Sequence, residues 1–461
     1  MIAIFALPLH AQSLEEARQL YLNKDFAAAL PAFATAVKTS PKNASYNQWY
    51  GACLVETGCA AEAAPYLEFA ASKNIPEAHN YLGKMYFAKY QFDKAKDAYE
   101  QYRRALLDDN NTARAAEAAL LTERATRAAR MLSRCEDVQI IDSIVVEKSG
   151  FIAAFRLGED SGTLEETGNS AVYENELGDR RVFGKTAADG FTKLFSQSKI
   201  REQWADERQL ALPSDSACDL NYPFLMPDGL TIYFASDGNG SIGGYDLFVS
   251  RFNLNNDSWL APSQLGMPFN SIYNDYLLAI DEVNDVGYFA SDRFQPEGRV
   301  VVYTFIPNEE ITPIGEDGED AHLAERAMIT SISDTWKPDF NRTAFLENLK
   351  SSLDKNTKSK AKSFSFVIDD NTIYYALEDF KSDAAKDAFR RSEELKKTVE
   401  SLEDQLDTQR EEWRGASASR RESLKTAIKS NETRLESLFE DLHKALKETR
   451  NKEINFLKTS K

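Results

Sequence analysis

The stretch "YPFLMPDGLTIYFASDGNGSIGGYDLFVSRFN", residues 222–253, alternates apolar and polar residues and is punctuated by Gly, Asp and Pro. Such alternation favours β-strands, and the Asp-Gly pair at 228–229 is typical of a tight hairpin turn. The pattern returns downstream, because "DVGYFASDR" at 285–293 repeats "TIYFASD", and "RVVVYTF" repeats "YDLFVSRF". Phe234 and Phe289 are thus 55 residues apart. The sequence predicts small sheets that recur at a fixed interval.

Weaker strand patterns extend this β region over residues 136–378. "QIIDSIVVEK" at 139–148 and "GFIAAFRL" at 150–157 are predicted strands, and residues 179–197 are a degraded copy of the repeat. A helical insertion is expected near 320–360. The hairpin "FSFVIDDNTIYYA" at 364–376 then follows, and we expect it to complete a sheet or close a ring of four or five such units.

Residues 13–135 carry Ala, Leu and Tyr at helical spacing, with Gly, Pro and Asn at the breaks. The phase of small and aromatic residues repeats about every 34 residues. Small residues let paired helices approach closely, so the pattern predicts stacked helix pairs. Gly51 and Gly83 are two of these small residues.

Residues 379–461 are helical and heavily charged, with apolar residues stepping by three or four. A break at 415–419 divides the pattern, and an antiparallel hairpin of two long helices is its simplest interpretation. A long dimeric coiled coil is the alternative. Docking of the seam on the rest of the chain or on a partner remains open.

The helical period resembles tetratricopeptide repeats (TPRs), and the P-D-G…Y-F-x-S-D…D-L-F-V pattern resembles TolB-like, WD-like β-propeller repeats. The resemblance implies a multidomain α and β chain: an N-terminal TPR α-solenoid, a central propeller-like all-β domain and a C-terminal helical hairpin. This order is similar to that of cell-envelope proteins of Bacteroidota. Some of those relatives end in an OmpA-like domain, and we expect this chain to have the helical hairpin in its place.

A TPR array commonly receives a peptide on its concave face. The resemblance implies that this face is formed by the first helix of each repeat. Carried onto this chain, its positions are Arg18, Tyr21, Gln48, Glu56, Asn80, Lys84 and Phe87. We expect these side chains to be exposed and to contact a protein partner, although an ordinary solvated face is an equal alternative.

Charge and the N-terminus limit the function classes. With 55 Lys and Arg against 73 Asp and Glu, the net charge is −18, which argues against nucleic acid and anionic membranes as partners.

Residues 1–12 resemble the end of a signal peptide cleaved after Ala11. A buried first helix is the alternative. No other run approaches the roughly 18 apolar residues of a membrane-spanning helix. We expect an exported protein at the periplasm or the outer-membrane periphery.

Motifs for chemistry are absent from the sequence. The four histidines and four cysteines show no metal-ligand spacing, and we interpret the cysteines as free, buried thiols, with Cys53 and Cys59 as the nearest possible pair. The loop "SDGNGSIGGYD" offers Asp237, Asn239, Ser241 and Asp246 as calcium ligands, but its spacing does not match an EF-hand. We interpret it as a connecting loop.

These observations predict a non-enzymatic periplasmic scaffold without cofactor or metal. It would bind protein partners, an outer-membrane assembly among them, through the TPR groove and the propeller surface. The alternative is a propeller that binds or cleaves glycans, with Tyr222, Tyr245, Trp259 and Tyr273 as an aromatic platform.

Overall fold

The computed structural model describes residues 13–168, 170–200, 203–314, 320–355, 366–369, 372–416 and 418–459. It has helices at the N-terminus, a central all-β region of several sheets and long helices at the C-terminus, which confirms the predicted order of segments at that level. The predicted signal peptide, residues 1–12, lies outside the described residues.

The N-terminal helices pack consecutively, each on its neighbour. They are α1 (Leu14–Leu22), α2 (Phe26–Thr39), α3 (Ala44–Glu56), α4 (Ala60–Ala71), α5 (Pro76–Ala88), α6 (Phe92–Asp108) and α7 (Thr112–Leu132). Gly51 and Gly83 explain two of the close contacts. A Cβ at Gly51 would lie 2.7 Å from Cγ of Leu67, and one at Gly83 would lie 2.4 Å from the ring of Tyr99. Only glycine fits at these helix crossings.

The β region begins with β1 (Gln139–Glu147) and contains three antiparallel sheets of four or five strands. The first sheet consists of β2 (Thr163–Thr167), β3 (Ser170–Glu174), β4 (Arg180–Thr186), β5 (Thr192–Ile200) and β6 (Gln203–Gln209). The second sheet consists of β7 (Leu220–Leu225), β8 (Thr231–Ser236) and β9 (Asp246–Asn253), with the short β10 (Ser258–Trp259) and β11 (Ser263–Gln264) both paired to β9. The third consists of β12 (Asp275–Asp281), β13 (Val286–Ser291), β14 (Arg299–Ile306) and β1. None of these sheets closes on itself.

The third sheet joins the two ends of the β region. β1 pairs with β14 in antiparallel register, from Ile140 opposite Phe305 to Glu147 opposite Arg299. The pairing continues beyond the strands, where the Ile314 amide donates to the Cys135 carbonyl at 2.8 Å. The segment that enters the β region is therefore held by the segment that leaves it.

The repeated "FASD" motif has the same hydrogen bonds in the second and third sheets. Asp237 accepts the backbone N–H of Asp219 at 2.7 Å, just before β7, and Asp292 accepts that of Asn274 at 2.8 Å, just before β12. In both copies the preceding serine hydroxyl accepts the N–H two residues further on. Each motif thus ties the end of one strand to the start of its neighbour.

Aromatic side chains fill the space between the sheets. Tyr222 of the second sheet and Tyr276 of the third have ring centroids 5.6 Å apart, and Phe151 lies 5.8 Å from Tyr222. The predicted strand at 150–157 is wrong, because Phe151–Ala154 form a 3-10 turn. Phe151 and Ile152 are adjacent and both buried, whereas a strand would point them to opposite faces.

The C-terminal helices α10 (Asp383–Gly415) and α11 (Ala418–Thr459) pack against each other along their length, after α8 (Asp320–Met328) and α9 (Arg342–Lys355) earlier in the chain. The ion pairs Arg391–Glu448 and Arg410–Glu432 show that α10 and α11 run antiparallel. Between these helices, Asn431 of α11 donates to the Gln409 side chain of α10 at 3.1 Å.

The expected role of the 364–376 hairpin in completing a larger sheet is wrong. β15 (Phe366–Asp369) and β16 (Thr372–Tyr374) form a two-stranded sheet of their own. Their apolar residues pack on Phe380 and Phe389 and on the end of α11. Buried Glu453 of α11 fixes this arrangement, since it accepts the Tyr374 hydroxyl at 2.8 Å and the Ser382 amide at 3.0 Å. The hairpin's apolar face is covered by helices instead of by another sheet.

Arg293 lies just after β13 and is fully buried between the third sheet and α8. Its guanidinium contacts the Asp275 carboxylate at 2.7 Å, and Asp275 is also fully buried. The remaining donors of Arg293 reach the Ser291 hydroxyl and the carbonyl oxygens of Pro268, Phe269 and Ala327. One side chain therefore joins β12, β13, the loop before β12 and α8.

We expect Arg293→Met to lower the free energy of unfolding by about 3–5 kcal/mol, because it leaves Asp275 as an unpaired buried charge. Chemical denaturation followed by tryptophan fluorescence measures the change. Arg410→Met is the matched control. It breaks a half-exposed ion pair with Glu432 and should cost at most about 1 kcal/mol. Equal losses in the two variants would contradict the assigned role of Arg293.

Candidate functional site

The first helices of the N-terminal pairs, α1, α3 and α5, share one face of the helical region. Polar contacts link one helix to the next across it. Gln48 donates to the Tyr21 hydroxyl at 3.0 Å, and Lys84 pairs with Glu56 at 2.9 Å. The predicted site residues of neighbouring helices are thus brought together as a connected row, which we call the helical face.

The predicted residues differ in exposure. Arg18, Glu56 and Lys84 are exposed, and Tyr21 and Asn80 are half-buried. The expectation of exposure is wrong for Gln48 and Phe87, whose exposed fractions are 3% and 8%. Gln48 is covered where it bonds to Tyr21, and Phe87 is covered by the β region. The open part of the helical face is therefore its α1 to mid-α5 portion.

The end of the helical face near Phe87 holds a loop of the same chain. Ile242, at the tip of the glycine-rich loop between β8 and β9, is fully buried in a cluster with Phe87, Tyr99 and Ala125. Arg124 of α7 donates to the Ile242 carbonyl, and its guanidinium lies 4.7 Å from the Phe87 ring centroid. The glycine-rich loop within residues 222–253 thus joins the β region to the N-terminal helices. The periodicity of the sequence gives no signal of this contact.

The glycines of this loop allow the chain to approach the next sheet closely. A Cβ on Gly243 would lie 1.8 Å from the Tyr273 carbonyl oxygen, and one on Gly244 would lie 2.0 Å from Oδ1 of Asn274. Any side chain at these positions would push the loop away.

The oxygens considered as calcium ligands serve the backbone instead. Asp246 is fully buried and accepts the N–H groups of Ile242 and Gly243, both at 2.9 Å. The Asn239 side chain accepts the Asp215 amide, and the Ser241 hydroxyl donates to the Ser236 carbonyl. In the described part of the chain no three His, Cys, Asp or Glu side chains form a group that could hold a metal ion. This arrangement supports the interpretation of the segment as a connecting loop.

The aromatic residues of the glycan alternative do not form an open platform. Tyr222 and Trp259 are buried, with exposed fractions of 6% and 8%. Tyr245 and Tyr273 are half-buried, and the Tyr245 hydroxyl donates to the Asp219 carboxylate at 3.0 Å. These rings mainly fill the β region, so no stacking surface for a sugar is brought together there.

The cysteines are free, and three of the four are buried as expected. Cys59 is exposed, which corrects the interpretation for that residue. Burial raises the pKa of Cys53 and of Cys135 to about 12. Cys135 belongs to the same cluster as Ile242, whereas Cys53 lies among α1–α3 residues.

Comparisons of the chain with protein-family models, with curated proteins and with solved structures found no match. None of the described helices combines the length and the apolar character needed to cross a membrane.

We expect Ile242→Asp to separate the helices locally from the β region, because a carboxylate would be buried in an apolar cluster without a partner. Cys135 should then react with a thiol reagent at least about tenfold faster, since reactivity follows accessibility and thiolate fraction. Cys53 should stay slow. Mass spectrometry assigns the labelled thiols.

Val283→Asp, at an exposed turn position, is the control and should leave Cys135 protected. Unchanged protection of Cys135 in Ile242→Asp would contradict the assigned contact.

The protonation of Asp246 makes the stability of the folded chain depend on pH. Burial and the nearby Asp275 raise the pKa of Asp246 to about 7, whereas an unfolded aspartate titrates at about 4. Between these values the folded chain holds a proton that the unfolded chain has released. The free energy of unfolding therefore falls as pH rises through this window.

Asp246→Asn should remove this contribution. The stability of the native chain relative to Asp246→Asn should fall by more than about 1 kcal/mol between about pH 4 and pH 8, since one pKa unit corresponds to about 1.4 kcal/mol. Denaturation curves at a series of pH values measure this difference. A difference that does not change with pH would show that Asp246 has the same pKa in both states.

Proposed function

We propose that this chain is a non-enzymatic interaction scaffold that binds protein partners through the open part of its helical face. The N-terminal helices form a TPR-type array in this proposal, and the three sheets belong to the TolB-like propeller type. The close crossings at Gly51 and Gly83 support the first assignment. The matching roles of Asp237 and Asp292 support the second.

One observation carries the proposal: the helical face and the β region are held in a fixed relation by the buried loop at Ile242. A scaffold needs such rigidity, because surfaces that are already oriented lose less entropy when a partner binds. The open part of the face carries groups that recognise peptides. Lys84 lies 4.9 Å from the Tyr81 ring centroid, and Arg18 lies 5.9 Å from that of Trp49.

The buried acids of the β region support a structural role instead of catalysis. Asp246 accepts two backbone N–H groups, Asp275 accepts the amide of Ser271, and Asp281 accepts that of Gly158. Each of these carboxylates is already engaged by the fold. The apolar start of the sequence supports export, so we place the scaffold in the periplasm, with an outer-membrane-associated assembly as its partner.

Charge reversal on the helical face tests the proposal. We expect the double variant Arg18→Glu, Lys84→Glu to lower recovery of crosslinked partner proteins by about tenfold or more, as the loss of about 1.4 kcal/mol implies. Quantitative mass spectrometry after crosslinking of cell envelopes measures recovery. The control is Lys38→Glu, Arg104→Glu, which changes the charge equally at exposed positions on α2 and α6. Recovery that is equal in both double variants would refute binding through this face.

A further inference from the structure

A cleft of about 900 Å³ separates the C-terminal helices from the β region. One wall consists of the ends of the first two sheets, including the turns at residues 175–180 and 225–230. The other wall consists of α10 around Glu400 and α11 around Leu442. We call this the hairpin cleft. All of its lining residues lie outside the N-terminal helices, so the cleft is separate from the helical face.

The position of the second wall is fixed at several points. His443 of α11 lies 3.3 Å from the Asp257 carboxylate in the turn between β9 and β10. Arg450 of α11 donates to the Val367 carbonyl of β15 at 2.8 Å. The cleft therefore lies between elements that contact each other on its borders, and its size suits the side chains of an extended segment.

More than half of the lining residues are apolar, and they come from both walls. Leu254 projects from the β region, and Phe439, Leu442 and Leu446 line the wall of α11. Phe439 is 36% exposed. Apolar area open to water on two facing walls favours a ligand that carries apolar groups of its own.

Charge on the lining is unequal, with seven acidic residues against four basic ones. The acids occur on both walls. Asp206 belongs to β6, and Glu400 and Glu403 belong to α10. Burial and the nearby Asp206 raise the pKa of Glu403, and Arg208, which pairs with Asp206 at 2.7 Å, offsets part of this effect. Acids of the two walls therefore repel each other across the gap, and a cation between them would relieve that repulsion.

The four bases of the cleft offset only part of the charge of its seven acids. Arg450 is held by the Val367 carbonyl and stacks on Phe366, with the guanidinium 5.1 Å from the ring centroid. A bound metal ion is not favoured either, because no three acids converge among the described residues. The complementary ligand is one with separated positive charges and apolar groups between them.

We propose that the hairpin cleft binds a segment of a partner protein in which Lys or Arg alternates with apolar residues. The apolar side chains of the segment pack on Leu442 and Phe439, and its cations lie beside Glu400 and Glu403. The net charge of −18 on the whole chain draws such a basic segment towards it. The acids on both walls of the cleft then select where it binds.

Synthetic peptides test this proposal on the full chain. A fluorescent peptide that repeats Lys-Leu-Ser is the probe, and peptides that repeat Glu-Leu-Ser or Lys-Ser-Ser are its comparisons. Fluorescence anisotropy gives the affinity of each. We expect Lys-Leu-Ser to bind at least about tenfold more tightly than either comparison, because it alone matches both charge and apolar surface. Absence of binding, or equal binding of Lys-Leu-Ser and Lys-Ser-Ser, would overturn the proposal.

Variants on α10 locate the binding site. Glu400→Lys, Glu403→Lys should weaken binding of the Lys-Leu-Ser probe by about tenfold or more. The matched control Glu394→Lys, Glu411→Lys changes two acids of the same helix that do not line the cleft. It should change affinity by less than about twofold, since exposed charges at a distance are screened by salt. Equal weakening in both double variants would show attraction to the acidic surface in general and would overturn the proposal.

Discussion

The buried charge of Arg293 is the constraint on which the arrangement of the β region depends. A guanidinium without water is tolerated only when its N–H groups and its charge are matched. In this chain the partners of Arg293 come from several segments. β12 contributes the Asp275 carboxylate, the loop before β12 contributes two carbonyl oxygens, and α8 contributes a third. Each of these segments is therefore held in place by the need to satisfy one side chain. Ala327, one of the carbonyl partners of Arg293, belongs to the buried cluster that contains Ile242, so this network adjoins the contact between the β region and the N-terminal helices.

The glycine-rich loop extends this constraint across the boundary between α and β segments. It begins at an "FASD" motif that also occurs in the third sheet, but its tip leaves the β region and lies against Phe87 and Arg124. This loop therefore covers part of the helical surface that could otherwise bind a partner protein. What remains open lies towards α1, and a second open surface lies at the opposite end of the sequence, beside α10 and α11. The molecule thus has two separate open surfaces, and the part of the chain between them is joined to the N-terminal helices by the buried contact at Ile242.

Much of the fold could be predicted from periodic patterns. The spacing of Gly51 and Gly83, the repeated "FASD" motif and the seam through Asn431 all reflect local rules of helix and strand geometry. The failures concern contacts between distant segments. Phe151 fills the centre between sheets, the hairpin at 364–376 is covered by α11, and Phe87 is covered by Ile242. Periodicity within a segment describes which side chains are apolar, and it does not describe which distant element covers them. For the candidate site, the resemblance to a repeat family predicts the row of α1, α3 and α5 positions, whereas no sequence pattern indicates the cleft.

The pairing of β1 with β14 has a consequence for how the chain is made. Arg299 follows its partner Glu147 by 152 residues. At ~5–20 residues per second on the ribosome, β1 waits for roughly 8–30 s before its partner strand has been synthesised. During that interval the side chains of Ile140 and Ile141, which are buried in the folded chain, remain exposed to water. An apolar strand with an unpaired edge is a template for self-association. Nascent chains of this protein are therefore most prone to aggregate after the helices have folded and before residue 306 has emerged.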